Sequence, residues 1–299
     1  MIESNVAAAG VALAAAAVWA VSMILLKRGL AAGGTIIQGS VVVAGVDAAI
    51  YWATIGALAV GGGTSFPGFS LSIVPLFVAS GVVGTALGRL LSFDGIDRVG
   101  ASVNSAAIST RPLFATVLAL AVLGEVVSPG TAVGIVVLVA GLVVLARSKG
   151  GDLRGWEPRE LTFPVLAAVL FAASDVIRRF GLTETPVSPL EAVAFHETAG
   201  WIALLGLAAW RYDLARPSRR ALGIFAASGV FNAVSLLLYF QAFAMPGGSV
   251  AIVTALVGTA PLFVTAFGAV MLADLERITR GVAVAAVLVV VGAALITLG

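Results

Sequence analysis

Long apolar runs alternate with short polar breaks along the entire chain, and the pattern predicts helices over about 8–28, 36–60, 71–93, 99–123, 130–147, 161–180, 190–210, 220–242, 248–272 and 279–298. Most runs approach the ~20 residues that a helix needs to cross the hydrocarbon core of a bilayer. The breaks fall at turn formers: Gly33-Gly34, Gly61-Gly62-Gly63, Pro67-Gly68, Pro129-Gly130, Pro186, Pro189, Pro217 and Pro246-Gly247-Gly248. Charges follow the same punctuation. None lies between Val6 and Leu26 or between Thr131 and Ala146, whereas Arg147 to Glu160 holds seven. That polar stretch divides the chain almost in half, and the pattern predicts an all-α integral membrane protein with ten transmembrane helices.

Composition agrees. The 299 residues are 60% hydrophobic and 11% charged, where a soluble domain is about 45–50% apolar and about 25% charged. The net charge of +2 is spread over loops and forms no basic stripe, so no nucleic-acid partner is expected. The absence of cysteine excludes disulfides, thiolate metal sites and cysteine nucleophiles. The first apolar run lacks a positive stretch before it, with Lys27 and Arg28 after it instead, and is expected to be a retained span rather than a signal peptide.

The two halves match in order. An offset of 152 sets Trp19-Ala20-Val21-Ser22 and Lys27-Arg28-Gly29-Leu30 on Phe171-Ala172-Ala173-Ser174 and Arg179-Phe180-Gly181-Leu182. An offset of 150 sets Asp47 on Glu197 and Gly56 on Gly206, and one of 149 sets Pro112-Leu113-Phe114 on Pro261-Leu262-Phe263. At 151, Glu125 and Gly141 fall on Glu276 and Gly292. Each match is weak alone, but together they drift by only three residues, which indicates duplication. Five spans per half force the halves into opposite orientations, giving two inverted five-helix repeats around a central cavity, over 1–149 and 158–299. Inverted repeats of this kind characterise secondary transporters, with the solute site near the midplane.

The segments Trp19 to Lys27, Ser102 to Phe114 and Glu125 to Gly141 resemble the EamA-type halves of the drug/metabolite transporter superfamily, and the resemblance covers nearly the whole chain twice over. Its marks are a tryptophan in the first span, a small-residue helix ending in Pro-Leu-Phe, a glutamate with Ser or Thr three residues on, and later glycines. One departure is the spacing from Pro261 to Glu276, which exceeds that from Pro112 to Glu125 and leaves Asp274 and Glu276 as rival counterparts of Glu125. The resemblance implies ten helices, alternating access and a small solute such as an amino acid or related metabolite, often exported across the plasma membrane. Neither cofactor nor metal is implied, and a monomer is expected because one chain holds both halves.

An ionisable side chain inside a span costs roughly 2.5–3.5 kcal/mol on insertion scales, so each is a functional candidate. These are Asp47, Arg89, Arg111, Asp175, Glu191, His196 and Glu197. Asp47 and Glu197 are repeat-equivalent and are the candidates for proton coupling, the alternative being a buried ion pair with Arg111 or Arg89. His196 adjoins Glu197, but neighbouring helical residues point to different faces, so it is read as a polar residue near a helix end. Arg111 precedes Pro112, which is expected to kink the fourth span beside a cavity, and is the candidate anchor for a carboxylate or phosphate. Asn104, Asn232, Tyr239 and Thr254 lie on polar faces of their helices, and Trp19 and Ser22 are placed to line the same pocket. Packing through small residues is the alternative for Thr254 and Gly258, and Ser80, Gly84 and Gly88, four apart, are read as a close-packing face rather than a phosphate-binding glycine loop.

Thirteen Lys and Arg fall in loops on the side holding Lys27 and Arg147, against Arg178 and Arg179 on the other. The charge count makes the first side cytoplasmic and leaves both termini outside, whereas relatives are more usually drawn with cytoplasmic termini. A membrane enzyme acting on a lipid-linked substrate and a channel are the competing classes. A single histidine, no cysteine and no acidic metal-binding run argue against the enzyme, and asymmetric interior charge argues against a ring-like filter.

Overall fold

The computed structural model describes residues 2–61, 74–148, 157–212, 215–271 and 280–298. The pairing of Glu125 with Asp274 or Glu276 falls outside the described residues, as does most of the charged stretch between the halves. The described residues hold twelve α-helices and no strand: α1 (Ile2–Ala31), α2 (Ile36–Val60), α3 (Val74–Gly81), α4 (Arg89–Ile108), α5 (Arg111–Leu123), α6 (Pro129–Ser148), α7 (Thr162–Glu184), α8 (Pro189–Arg211), α9 (Arg219–Ala244), α10 (Val250–Val257), α11 (Ala260–Met271) and α12 (Arg280–Leu298). Among the described residues nine helical segments are long and apolar enough to cross a bilayer, and Val284–Leu298 is a shorter apolar helix at the end of the chain.

Local sequence explains where these helices begin and break. The second span of each half opens with the same device. Thr35 accepts from the Gln38 backbone N–H (3.3 Å) while Gln38 accepts from the Thr35 N–H (3.0 Å), and Ser188 with Glu191 repeats the reciprocal pair at 3.3 and 3.0 Å. Such a capping box satisfies orphan N–H groups that a membrane helix cannot leave bare. The fourth and ninth spans share another feature. α4 gives way to α5 across Ser109 and Thr110, just before Arg111-Pro112, and α10 gives way to α11 across Gly258 and Thr259, just before Ala260-Pro261. Gly258 lies across from the Pro112 ring, so the two breaks meet inside the bundle. The expected kink at Pro112 is therefore a break with its own short hydrogen bonds, Thr110 N to Ala107 O (3.1 Å) and Leu113 N to Thr110 O (2.9 Å).

The third span differs most from its sequence reading. It runs over Val74–Gly100, past the expected end at 93, and contains a π-helical stretch, Val82–Gly88. Gly100 ends it with a φ of 78°, a left-handed conformation that suits glycine. An extra residue per turn rotates the side chains that follow, and such bulges gather at functional sites.

Helices of each half pack chiefly on helices of the other. α1 lies on α9, α2 on α8 and α9, α3 and the π-helical stretch on α7 and α8, and α6 on α12. Small residues permit this: Gly134 and Gly141 face Gly292, Ile296 and Leu288 along the α6–α12 seam, and Gly81 sits against the His196 carbonyl, where α3 crosses α8. Outward positions are apolar, including Val117, Val133, Val136, Ile202, Val287 and Val290. The buried set instead includes Asp47, Asp94, Asp175, Arg178, His196 and Glu197. An apolar exterior over a partly ionic interior is the inverse of a soluble domain and matches lipid as the surrounding solvent.

Candidate functional site

Two recesses open at opposite ends of the bundle. One of about 250 Å³ is lined by Thr35, Ile36, Phe93, Asp97 and Tyr212, at the end rich in Lys and Arg, and one of about 280 Å³ by Leu123, Glu125, Arg179, Phe180 and Glu184 at the other. Between these ends, side chains of α5, α7, α8, α9 and the third span form a connected polar cluster.

Asp175 is its hub. The Arg111 guanidinium donates to both its carboxylate oxygens, Nε to Oδ2 at 2.7 Å and Nη2 to Oδ1 at 2.5 Å. Oδ1 also accepts from the Tyr239 hydroxyl (2.9 Å) and from Arg178 Nη1 (3.2 Å), and Arg111 Nη2 reaches the Tyr239 oxygen at 2.9 Å. Asp175 is wholly buried, whereas the Arg111 side chain retains 23% exposure. The cations are flanked by rings: Arg111 stands 5.3 Å from the Phe171 centroid and Arg178 5.2 Å from that of Phe240. A bidentate guanidinium–carboxylate pair of this kind is directional as well as strong.

A second group adjoins the first. Arg178 Nη2 donates to His196 Nε2 (2.9 Å), and His196 Nδ1 lies 2.7 Å from Ser80 Oγ, whose own hydrogen goes to the Phe77 carbonyl (3.0 Å). A guanidinium can only donate, so Nε2 accepts and the ring proton sits on Nδ1. The Thr85 hydroxyl, carried by the π-helical stretch, lies 3.2 Å from His196 Nε2 and donates to Glu197 Oε1 at 3.1 Å. On α2, Asp47 Oδ2 accepts from Asn232 Nδ2 at 2.6 Å. Asp47 Oδ1 and Glu197 Oε2 are buried with no hydrogen-bond partner. Arg89 acts through its charge on Asp47, Glu197 and His196.

Of the residues expected to form the site, Arg111 and Tyr239 meet at Asp175. Asn232 is joined to Asp47, and Glu197 lies in the His196 group. Ser22 bonds Ser228 (2.9 Å) across the α1–α9 contact, and Thr254 bonds the Val250 carbonyl of its own helix (2.6 Å). Asn104 reaches Ser92 (3.3 Å) and packs on Gly95. Trp19 is half-buried on α1. Arg111 pairs with Asp175 rather than Asp47. His196 is no helix-end residue but is wholly buried two turns into α8, and its Nε2 lies 3.7 Å from Glu197 Oε1 because Thr85 reaches between them. Arg178, counted above among loop cations, belongs to the interior. The Asp175–Arg178 pair was visible as an acid and a base three apart on a helix. Ser80 was read only as part of a packing face, and Thr85 carried no signal, since a π-helical register is not written in small-residue spacing.

A bundle of apolar helices with paired charges in its interior defines a multi-pass membrane protein. The profile of the EamA-like transporter family matches residues 7–147 and again residues 159–298, and the chain belongs to that family. A solved structure, described only as the crystal structure of a protein, superposes with a TM-score of 0.77 at 19% identity over 98% of both chains, which establishes the shared fold. No curated protein matches the chain.

Proposed function

We propose that the chain is a proton-coupled secondary carrier that moves a small solute bearing a carboxylate, an amino acid or a related organic acid, by alternating access, outward across the plasma membrane. One observation carries this reading: Arg111 of the first half is held by Asp175 of the second, at the break in the fourth span, with the guanidinium still partly exposed. A solute carboxylate offers Arg111 the same bidentate geometry and competes with Asp175 for it. Exchange of that partner loosens one tie between the halves, as a carrier requires.

Charge balance supports coupling. Around the cluster Arg89, Arg111 and Arg178 stand against Asp47, Asp175 and Glu197, while buried Asp94 pairs separately with Arg211. Protonating one carboxylate leaves a cationic surplus that an anionic group on the solute neutralises, and an unbalanced buried charge is costly. Asp47 and Glu197, each with an oxygen free of partners, are the carboxylates with room for the proton. Tyr239 orients Asp175 and Arg111, and Trp19 contributes an aromatic wall. The units are the halves 1–149 and 158–299, acting as a monomer, with the end rich in Lys and Arg in the cytoplasm.

The test is uptake into proteoliposomes of radiolabelled amino acids and other anionic metabolites, with and without a pH gradient, for the intact chain and for Asp47→Asn. Gradient-driven uptake of one compound, lost in Asp47→Asn, is expected. Uptake that ignores the gradient would remove the proton from the mechanism, and gradient-driven uptake that persists unchanged in the variant would reduce Asp47 to a packing role.

A further inference from the structure

The carrier reading leaves unexplained why a wholly buried histidine stands between Glu197 and Arg178. Its partners supply the reason. The Thr85 hydroxyl has one hydrogen and lies within reach of two acceptors, Glu197 Oε1 at 3.1 Å and His196 Nε2 at 3.2 Å. His196 Nε2 has one lone pair and lies within reach of two donors, Thr85 and Arg178 Nη2 at 2.9 Å. These two choices are linked. While Thr85 donates to Glu197, Nε2 accepts from Arg178. If Thr85 turns its hydrogen to Nε2, Arg178 loses that acceptor.

We propose that Thr85 and His196 form a hydrogen-bond switch that reports the proton on Glu197 to the Arg111–Asp175 pair. It rests on the reading that Glu197 takes up and releases a proton. An ionised Glu197 can only accept, so it holds the Thr85 hydrogen and leaves Nε2 to Arg178. A Glu197 that carries its proton on Oε1, the oxygen facing Thr85, donates it to the Thr85 oxygen, and the Thr85 hydrogen turns to Nε2. Only one proton enters, on Glu197; the rest is rotation of a hydroxyl, and the ring stays neutral with its hydrogen on Nδ1, toward Ser80. Arg178, deprived of Nε2, has Asp175 Oδ1 as its remaining acceptor, where it already donates at 3.2 Å beside Arg111 and Tyr239. Drawing Arg178 more tightly onto an oxygen already shared by three donors weakens the hold of Asp175 on Arg111 and frees the guanidinium for a solute. His196 and Thr85 are thus positioning residues, acting through Arg178.

The charged and titratable groups around the switch are Arg89 at the start of α4, Asp47 and Tyr51 on α2, Asp175 and Arg178 on α7, and Tyr239 on α9. Of these, Arg89 and Arg178 act directly on Glu197, and Glu197 in turn acts on Asp47.

His196 is the single histidine of the chain, so its nitrogens can be observed without interference. The chain would be purified through a tag free of histidine, labelled with ¹⁵N-histidine, placed in lipid nanodiscs and titrated by NMR. We expect a neutral ring with the hydrogen on Nδ1 and one pH-dependent step in the Nε2 resonance. Thr85→Ser keeps the step; Thr85→Val and Glu197→Gln lose it. Valine matches the branched shape that Thr85 packs on Gly200, and serine, which keeps the hydroxyl, controls for folding. A wild-type spectrum without a step, a step that survives Thr85→Val, or one that survives Glu197→Gln would each overturn the switch. No solute is needed, so an intact step beside failed uptake would sink the carrier reading alone.

Discussion

Asp175 and the pair Asp47 and Glu197 are buried carboxylates of one bundle in opposite circumstances. Asp175 accepts from Arg111 through both oxygens and from Tyr239 and Arg178 besides. Asp47 and Glu197 each have one oxygen engaged, by Asn232 and by Thr85, and one with no hydrogen-bond partner. Asp175 is thus held by guanidiniums from both halves, whereas Asp47 and Glu197 each accept a hydrogen bond only from a neutral side chain. The contrast separates the group that holds the halves together from the groups suited to coupling.

The largest effect that tests this contrast is expected at Asp175. Asp175→Asn leaves Arg111 and Arg178 buried without their counter-ion, and breaking such a pair from one side costs about 3–5 kcal/mol. Unfolding of the purified variant in detergent should show a loss of that size together with loss of transport. A variant as stable as the parent would mean that the cluster is loosely coupled to the fold.

Tyr239→Phe comes next. It removes a hydroxyl shared between Asp175 and Arg111 while keeping the ring against Arg178. Hydrogen bonds to charged groups contribute about 1.5–3 kcal/mol, and the same unfolding assay should register a loss within that range. If Tyr239 also orients Arg111 for the solute, apparent affinity falls with it.

Asp47→Asn should hardly alter stability, by about 1 kcal/mol or less, because an amide oxygen still accepts from Asn232 and the buried charge is gone. Flux driven by a pH gradient should nevertheless vanish. A large stability loss here would place Asp47 with Asp175 and dissolve the distinction between them.

Much of this was legible from the chain. Most span positions, the duplication and the irregularity at Pro112 follow from apolar run length, turn residues and offset matches, which are local signals; the end of the third span and the break before Pro261 were not expected. The equivalence of Asp47 and Glu197 was visible for the same reason. What sequence did not show was partner choice. The sequence reading paired Arg111 with Asp47 or Glu197, and only the packing of α5 on α7 gives it to Asp175 instead. His196 was read as unremarkable because adjacent helical residues diverge. The third party that joins it to Glu197, Thr85, comes from another span through a π-helical stretch with no sequence mark. Ser22, a candidate for the pocket, serves the α1–α9 contact instead, a fate that helix periodicity alone cannot distinguish.

The smallest effect concerns a fourth carboxylate, outside the spans. Glu125, between α5 and α6, accepts from the Val250 N–H at the start of α10 (2.9 and 3.2 Å) and pairs with Arg179 at 3.4 Å. Arg179 donates in turn to the Phe243 and Met245 carbonyls. The cluster ties the first half to the second at the end opposite the Lys/Arg-rich loops. Burial pushes the Glu125 carboxyl above the ordinary glutamate range, with the Val250 N–H and Arg179 pulling it back in part. The folded chain therefore binds this proton at a pH where the unfolded chain does not, so in the window between the two values global stability rises slightly as pH falls. The local tie moves the other way, since a neutral carboxyl holds Arg179 less firmly. Because the chain has no cysteine of its own, a single cysteine placed at Thr183, in the recess beside Glu125, reports this end alone. Its labelling by a membrane-impermeant thiol reagent, corrected for thiolate content, should increase on acidification above the pH at which an exposed glutamate titrates. Glu125→Gln should label at the raised level at every pH. A pH response that survives in Glu125→Gln would show that Glu125 is not its source and leave Glu125 a fixed strut.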